Sequence, residues 1–562
     1  MTSTKNIPFW HLLFCLFVLS SSCSTAQNNA KVKTTPTAAE TAHQPKLIVG
    51  ITVDQMRYDY IEKFWEDLSE DGFKKLVNEG FFARNLHYNY MPTFTGPGHA
   101  AIYTGTTPAF NGIIANDWYE RSSNKMVYCS SDSTVSGVGT NSAAGKMSPH
   151  YLTSTTLGDE LKLFSNQRSK VIGVAMKDRG AILPAGRTAD AAYWFVGGNE
   201  GVWATSTWYM DSLPNWVVDY NAKRVPETVM SKSWDFLLPT EKYDESMEDN
   251  NAFELPFKGL TRPVMPYSMS ELRAQNSNYD LIKATPFGNS LTAEFGKQVI
   301  EKEQLGKDEH TDMLCMSFSS TDYVGHQFGI HSKELQDCYL RLDRDIADFI
   351  KYLDATVGKG NYLIFLSADH AGAPTPSYVM ENKGAAGYWK SDRLEEKVQN
   401  FLTEKYGEGS WIVNETNQNI FLNRTLIREK KLSLKSIQMD VSDFVADQEN
   451  ILVAFNAADL SRIGDKSPMA VRAQLGFHQR HSGDVIYILD SGYMEYGMQG
   501  TTHGSPFTYD THVPALFYGF GVKQGETFQP QTICDIAPTV AAICKLPLPS
   551  SAIGSPINTL VK

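Results

Sequence analysis

The sequence predicts an α/β fold: a mostly parallel central sheet flanked by helices, with insertions capping a site at one end. Three observations carry this. Short apolar, β-branched runs alternate with helix-compatible segments, the pattern of parallel strands joined by crossover helices. Several of these runs stop at an Asp, a Lys or a His, and ligands gather beyond the carboxyl ends of such strands. Residues 91–100, MPTFTGPGHA, set a hydroxyl at the entrance of a helix-compatible run.

Residues 46–53, KLIVGITV, are apolar enough for a strand buried on both faces, and the run ends at Asp54. A helical pattern follows over 60–79. In 91–100, Pro97 lies just inside the expected helix start, where its missing N–H costs nothing. Thr95 therefore comes near a helix N-terminus, where free N–H groups and the helix dipole favour an alkoxide or a phosphate. Read alone, Thr95 is an ordinary N-capping residue. The rest of the chain changes that reading. A strand at 170–176 delivers Lys177-Asp178-Arg179, and one at 312–318 runs into Asp322 and His326. An amphipathic helix over 333–353 leads to a strand at 361–367 and then Asp369-His370. A run at 484–489 precedes Thr502-His503-Gly504, and one at 514–518 precedes a terminal helix around 535–544.

Two stretches break the alternation. Residues 180–310 carry aromatic strands at 191–196 and 201–210, and residues 374–482 mix a helix at 393–406 with short strands around 418–422. Both are expected to be insertions over the site. Asn414 and Asn423 each open an N-x-T sequence, a pattern that chance supplies often in a long chain.

With 42% hydrophobic and 20% charged residues, the 562-residue chain is globular rather than disordered or a membrane bundle. Acidic residues outnumber basic ones, 63 to 51, for a net charge of −12, which argues against a nucleic-acid partner. Residues 1–26 have the form of an export signal: Lys5, an apolar stretch at 12–19, and Ser24-Thr25-Ala26 as a cleavage site. The apolar stretch is too short to span a bilayer, so the mature chain is expected to have no transmembrane segment and to be periplasmic. Lipid attachment at Cys23 competes with cleavage, although the three serines before it match a lipoprotein site poorly. Residues 27–45 would be a flexible leader, leaving 46–562 as the catalytic domain. The remaining cysteines, 129, 315, 338, 534 and 544, are odd in number and scattered, neither a disulfide framework nor a structural zinc set.

The chemistry lies in the polar residues beyond the strands. Asp322 and His326 stand four apart, a spacing that can turn both to one side of a helix. With Asp54, Asp369, His370 and His503 they make three Asp and three His, N/O donors that suit Zn²⁺, three per ion with a position left open. Two ions about 4 Å apart clamp the attacking and departing oxygens of a phosphoryl displacement, and coordination activates an otherwise weak Thr nucleophile. Lys177 and Arg179 supply charge and planar bidentate donors for the phosphoryl oxygens, and Asn116 one more hydrogen bond.

These residues lie in motifs that resemble the alkaline phosphatase superfamily, and most its phosphate-irrepressible branch. The motifs are VDQMRYDY, TFTGPGHA, IIANDWY, MKDRGA, STDYVGH, SADHAG and THGSP, in that order, closed by DIAPTVAAICKLPLP. The resemblance implies two Zn²⁺, one held by Asp322, His326 and His503, the other by Asp54, Asp369 and His370. It implies that Thr95, a ligand of the second zinc, forms a covalent phosphothreonine, with Asn116, Lys177 and Arg179 on the phosphoryl oxygens. The expected activity is broad hydrolysis of small phosphate monoesters, releasing inorganic phosphate. A sulfatase is excluded, because the Thr95 stretch lacks the C/S-x-P-x-R motif. A phosphodiesterase or nucleotide pyrophosphatase of the same superfamily is the nearest alternative, and the cation pair Lys177/Arg179 argues against it. An inert binding protein is disfavoured because no ligand or nucleophile is missing.

Overall fold

Apolar runs with no polar alternation can be satisfied only inside a sheet covered on both faces, and that is where the computed structural model puts them. It describes residues 44–462 and 467–561. The export signal, the Cys23 alternative and nearly all of the leader lie outside the described residues.

The central sheet has eleven strands. Its middle is parallel: Tyr362–Ser367, Leu47–Val53, Asp312–Phe318, Val171–Ala175 and Ala191–Val196 lie side by side in that order. Every residue of these five strands is buried. One edge continues through His512–Gly519, antiparallel to Tyr362–Ser367, and then Phe81–His87. On one face the 21-residue helix Lys333–Leu353 buries Leu335, Leu342, Ile346 and Phe349, together with the acids Glu334, Asp337 and Asp343.

Four expectations need correction. The 60–79 helix is broken into Asp59–Lys63, a 3-10 turn at Trp65–Asp67, and Phe73–Glu79. It restarts at Gly72, where a Cβ would overlap the Asp343 carboxylate. The strands expected in the first insertion belong to the sheet itself. Ala191–Val196 pairs parallel with Val171–Ala175, and Val202–Ser206 folds back on it through Gly201 at φ +62°. Val485–Leu489 lies outside the central sheet, in a four-stranded antiparallel sheet with Asn419–Leu422, Ile412–Thr416 and Ile451–Asn456. That small sheet has its own core, including Leu394, Val398, Trp411, Ile437 and Val441. The final long strand, His512–Gly519, runs antiparallel to both of its neighbours, Tyr362–Ser367 and Phe81–His87.

Candidate active site and metal centre

The parallel strands all point their carboxyl ends the same way, so the residues that follow them converge. Asp54 follows Val53, Lys177 lies two past Ala175, Asp322 four past Phe318, and Asp369-His370 begins two past Ser367. Thr95 enters from the helix Thr95–Thr104, every residue of which is buried.

Thr95 is the first helical residue, not the cap; Phe94, with extended φ −111° and ψ 162°, holds that position. The Thr95 hydroxyl is thereby left to face His370, whose Nε2 lies 3.4 Å from Oγ1. The next N–H, of Gly96, is taken by Asn116 Oδ1 at 2.8 Å, and Pro97 has none. The helix therefore offers an incoming anion fewer free donors than its sequence suggests. Asn116 is fixed by its carbonyl, which leaves its amide nitrogen to donate.

All three histidines share one arrangement. His326 Nδ1 is bonded to the Thr501 carbonyl at 2.7 Å, His503 Nδ1 to the Thr93 carbonyl at 2.7 Å, and His370 Nδ1 to the Ala371 carbonyl at 2.9 Å. A carbonyl can only accept, so each Nδ1 carries the proton and each Nε2 presents a lone pair, as in metal-ligating imidazoles. Burial lowers the pKa of His370 and of His503, favouring the neutral ring that binds a cation.

The carboxylates complete the set. Asp54 and Asp369 are wholly buried, and Asp54 Oδ1 and Asp369 Oδ2 have no hydrogen-bond partner. Burial, then the neighbouring Asp322 and Asp369 charges, push the Asp54 carboxyl well up. Burial opposes ionisation of Asp322 and Asp369 as well, but their basic neighbours prevail. His326 and Lys177 hold Asp322 well below its usual range, and His370 and His99 hold Asp369 below its own. A buried carboxylate oxygen without a partner is costly unless a cation or proton meets it. The donor set thus fits cations.

The ligand atoms form one continuous cluster rather than two separate triads. Asp54, Asp369 and His370 gather within 4.8 Å, and so do Asp322, His370 and His503. His370 belongs to both, its ring stacked on His503 with centroids 3.4 Å apart. His326 joins from the side, its Nε2 3.1 Å from Asp322 Oδ1. The six expected ligands are brought together, with His370 closer to His503 than the division into two triads implies.

The cations are less alike than their spacing suggests. Lys177 Nζ sits 2.7 Å from Asp54 Oδ2 and 2.5 Å from Asp322 Oδ2, bridging carboxylates that the resemblance assigns to different ions. Arg179, two residues on, donates from Nη1 to the Tyr128 hydroxyl at 3.0 Å and borders a cavity of about 440 Å³ shared with Tyr323 and Lys283.

Sequence reasoning passed over three residues. His99, one helical turn after Thr95, bonds through Nδ1 to the Thr95 carbonyl at 2.9 Å, which leaves Asp369 Oδ2, 3.2 Å away, without that hydrogen, and its Nε2 meets Ser317 Oγ at 2.8 Å. The i, i+4 spacing from Thr95 was its signal. Gln55 touches two of the carboxylates and is signalled only by following Asp54. Tyr128 carries no local signal at all.

The family described as type I phosphodiesterase / nucleotide pyrophosphatase matches residues 48–513. Alkaline phosphatase PhoV of Synechococcus elongatus is 43% identical, across 98% of this chain and 99% of that one. The chain belongs to the alkaline phosphatase superfamily. Alkaline phosphatase PafA of Elizabethkingia meningoseptica is 41% identical over 92% of this chain and 95% of its own. A crystal structure of wild-type alkaline phosphatase PafA superposes with a TM-score of 0.88 over 92% of this chain and 99% of that one. A Myroides odoratus protein named calcium-transporting ATPase is 42% identical over 93% of this chain and 96% of that one. Among the described residues no helix is long and apolar enough to cross a membrane. The superfamily fold, with its large, mostly parallel sheet, is therefore also the fold of this chain.

Proposed function

We propose that the protein is a zinc-dependent alkaline phosphatase that hydrolyses phosphate monoesters through a covalent intermediate on Thr95. One observation carries the reading. A buried Thr hydroxyl faces a cluster of unpartnered carboxylate oxygens and Nε2 lone pairs, with the Lys177 ammonium on the same carboxylates and the Asn116 amide on the next N–H. The relatives named as alkaline phosphatases support it.

Asp54, Asp369 and His370 would hold one ion, and Asp322, His326 and His503 the other. When bound, the ions would lower the pKa of the Thr95 hydroxyl and neutralise the departing oxygen. Thr95 Oγ1 attacks phosphorus, the ester oxygen leaves on the opposite side, and water then attacks the phosphothreonine to release phosphate. Asn116 donates its free amide hydrogens to the phosphoryl group, and Arg179 supplies two parallel donors. Lys177 occupies the Oδ2 atoms of Asp54 and Asp322, which leaves their Oδ1 atoms for cations, and its ammonium would add positive charge beside the phosphoryl group. A monoester presents more charge there than a diester, which is why this pair favours the phosphatase over the phosphodiesterase alternative. Residues 1–26 we read as an export signal, which would give a periplasmic product.

The test compares kcat/KM for a phosphate monoester and a matched diester in the zinc-loaded protein, with and without Lys177→Ala/Arg179→Ala. A monoester preference that the double variant loses is expected. A diester preference untouched by the substitutions would move the protein to the phosphodiesterase branch.

A further inference from the structure

Gln55 is buried, 2% exposed, and it is a non-glycine residue in the left-handed region at φ +63°. L side chains rarely adopt that conformation unless the surroundings enforce it. Two hydrogen bonds use it. The Gln55 main-chain N–H donates to Asp369 Oδ1 at 3.1 Å, and its side-chain Nε2 donates to Asp322 Oδ1 at 2.7 Å. The amide group reaches Asp322 only because the neighbouring backbone gives way. A Cβ on Gly325 would overlap Gln55 Oε1, and one on Gly372 would crowd its Cγ at 3.1 Å. Gly325 precedes His326, and Gly372 lies two residues after His370. Gln55 is thus wedged between the loop that carries Asp369-His370 and the helix that carries Asp322 and His326.

We propose that Gln55 is a positioning residue that joins the two halves of the metal centre, its main chain fixing Asp369 while its side-chain amide fixes Asp322. This rests on the metal reading above. The physical argument is one of orientation. Asp322 Oδ1 faces Gln55, His326 and His503 together while Lys177 holds Oδ2, so the amide and the ammonium fix the carboxylate plane from its two oxygens, and without the amide Oδ1 loses the one amide donor that aims it. Partners behind metal ligands typically account for tenfold to a hundredfold in affinity.

The proposal is tested with Gln55→Ala, which removes the side-chain bond and leaves the main-chain bond to Asp369. Stepwise zinc affinities are measured on the purified protein by competition with a chromogenic chelator, and the visible spectrum of the cobalt-loaded protein is recorded. One zinc step is expected to weaken by about 10- to 100-fold while the other is unchanged, with an altered cobalt spectrum. Excess zinc should restore kcat. Gly325→Ala, which forces the Gln55 amide aside without altering it, should reproduce the same loss in the natural background. In the Gln55→Ala background it should add nothing, because the atom it would strike is gone.

If Gln55→Ala binds both zinc ions with natural affinity and an unchanged cobalt spectrum, the proposal is wrong even if activity falls. Equal harm from Gly325→Ala in both backgrounds would also overturn it. Fewer than two zinc ions per unaltered chain would sink the metal reading instead, so the two failures are told apart.

Discussion

At the scale of single residues, Thr95 is expected to carry the covalent step, and its surroundings make the expectation sharp. The side chain is buried, its backbone is held by the helix, and it has no capping duty. Removing its hydroxyl should therefore leave the fold intact. Thr95→Ala should lower kcat by about a thousandfold or more, with the melting temperature and bound zinc near those of the natural protein. A variant with substantial turnover would show that the nucleophile is water or another group. The places of Thr95, Asp54, Asn116 and Arg179 beside strand or helix ends, on which their proposed roles rest, were legible in the sequence. Gln55 and Tyr128 were not. Gln55 acts through a backbone conformation that no residue type announces, and Tyr128 reaches Arg179 from 51 positions away.

At the scale of elements, the helix Thr95–Thr104 must lie closer to the sheet's end than an ordinary helix can. Gly98 makes this possible, since a Cβ there would overlap the Asp369 carbonyl oxygen, a main-chain atom that cannot swing aside. Gly98→Ala should push the helix and Asp369 apart. Overpacking of this kind typically costs about 1–3 kcal/mol, and here the cost falls on a proposed metal ligand. The expected result is a lower melting temperature together with reduced zinc retention on dialysis. Unchanged zinc content would mean that the strain is absorbed away from the site. The sequence shows Gly98 only as one letter of the TFTGPGHA motif, and the packing shows that it contacts the Asp369 backbone.

At the scale of the whole molecule, a segment from the region read as the first insertion braces the proposed metal centre. The Leu255 N–H bonds the Gln327 carbonyl at 2.9 Å, and the Gly500 N–H bonds the Phe253 carbonyl at 2.7 Å, which ties this segment behind His326 and Thr501. Between it and the helix Lys333–Leu353 lies a buried acidic pair. Glu254 Oε1 accepts from Asn251, Glu334 Oε1 accepts from the Tyr267 hydroxyl, and the second oxygen of each has no partner. Burial, and then for Glu254 the charge of Glu334, pushes both carboxyls up from 4.5. The folded protein therefore keeps protons that the unfolded chain has released. The resulting stability is full below 4.5 and is lost as the pH rises toward the folded values. Glu254→Gln should make thermal stability fall less steeply between about pH 5 and pH 8. An identical slope in both proteins would mean that the pair is solvated or already ionised.

The sequence by itself determined the sheet, because uniformly apolar runs of five to seven residues have no stable place except between two covered faces. It also placed Asp54, Lys177, Asp322, Asp369 and His370 at one end of the sheet, since residues just past parallel strands face the same end. What it could not supply were distances between segments far apart in the chain. The stacking of His370 on His503, the bridging of Asp54 and Asp322 by Lys177, and the antiparallel entry of His512–Gly519 are all long-range facts. The assignment of Ala191–Val196 to the central sheet belongs with them, because an apolar strand reads the same in an insertion as in a core. Local chemistry names the groups. Only packing decides which of them touch.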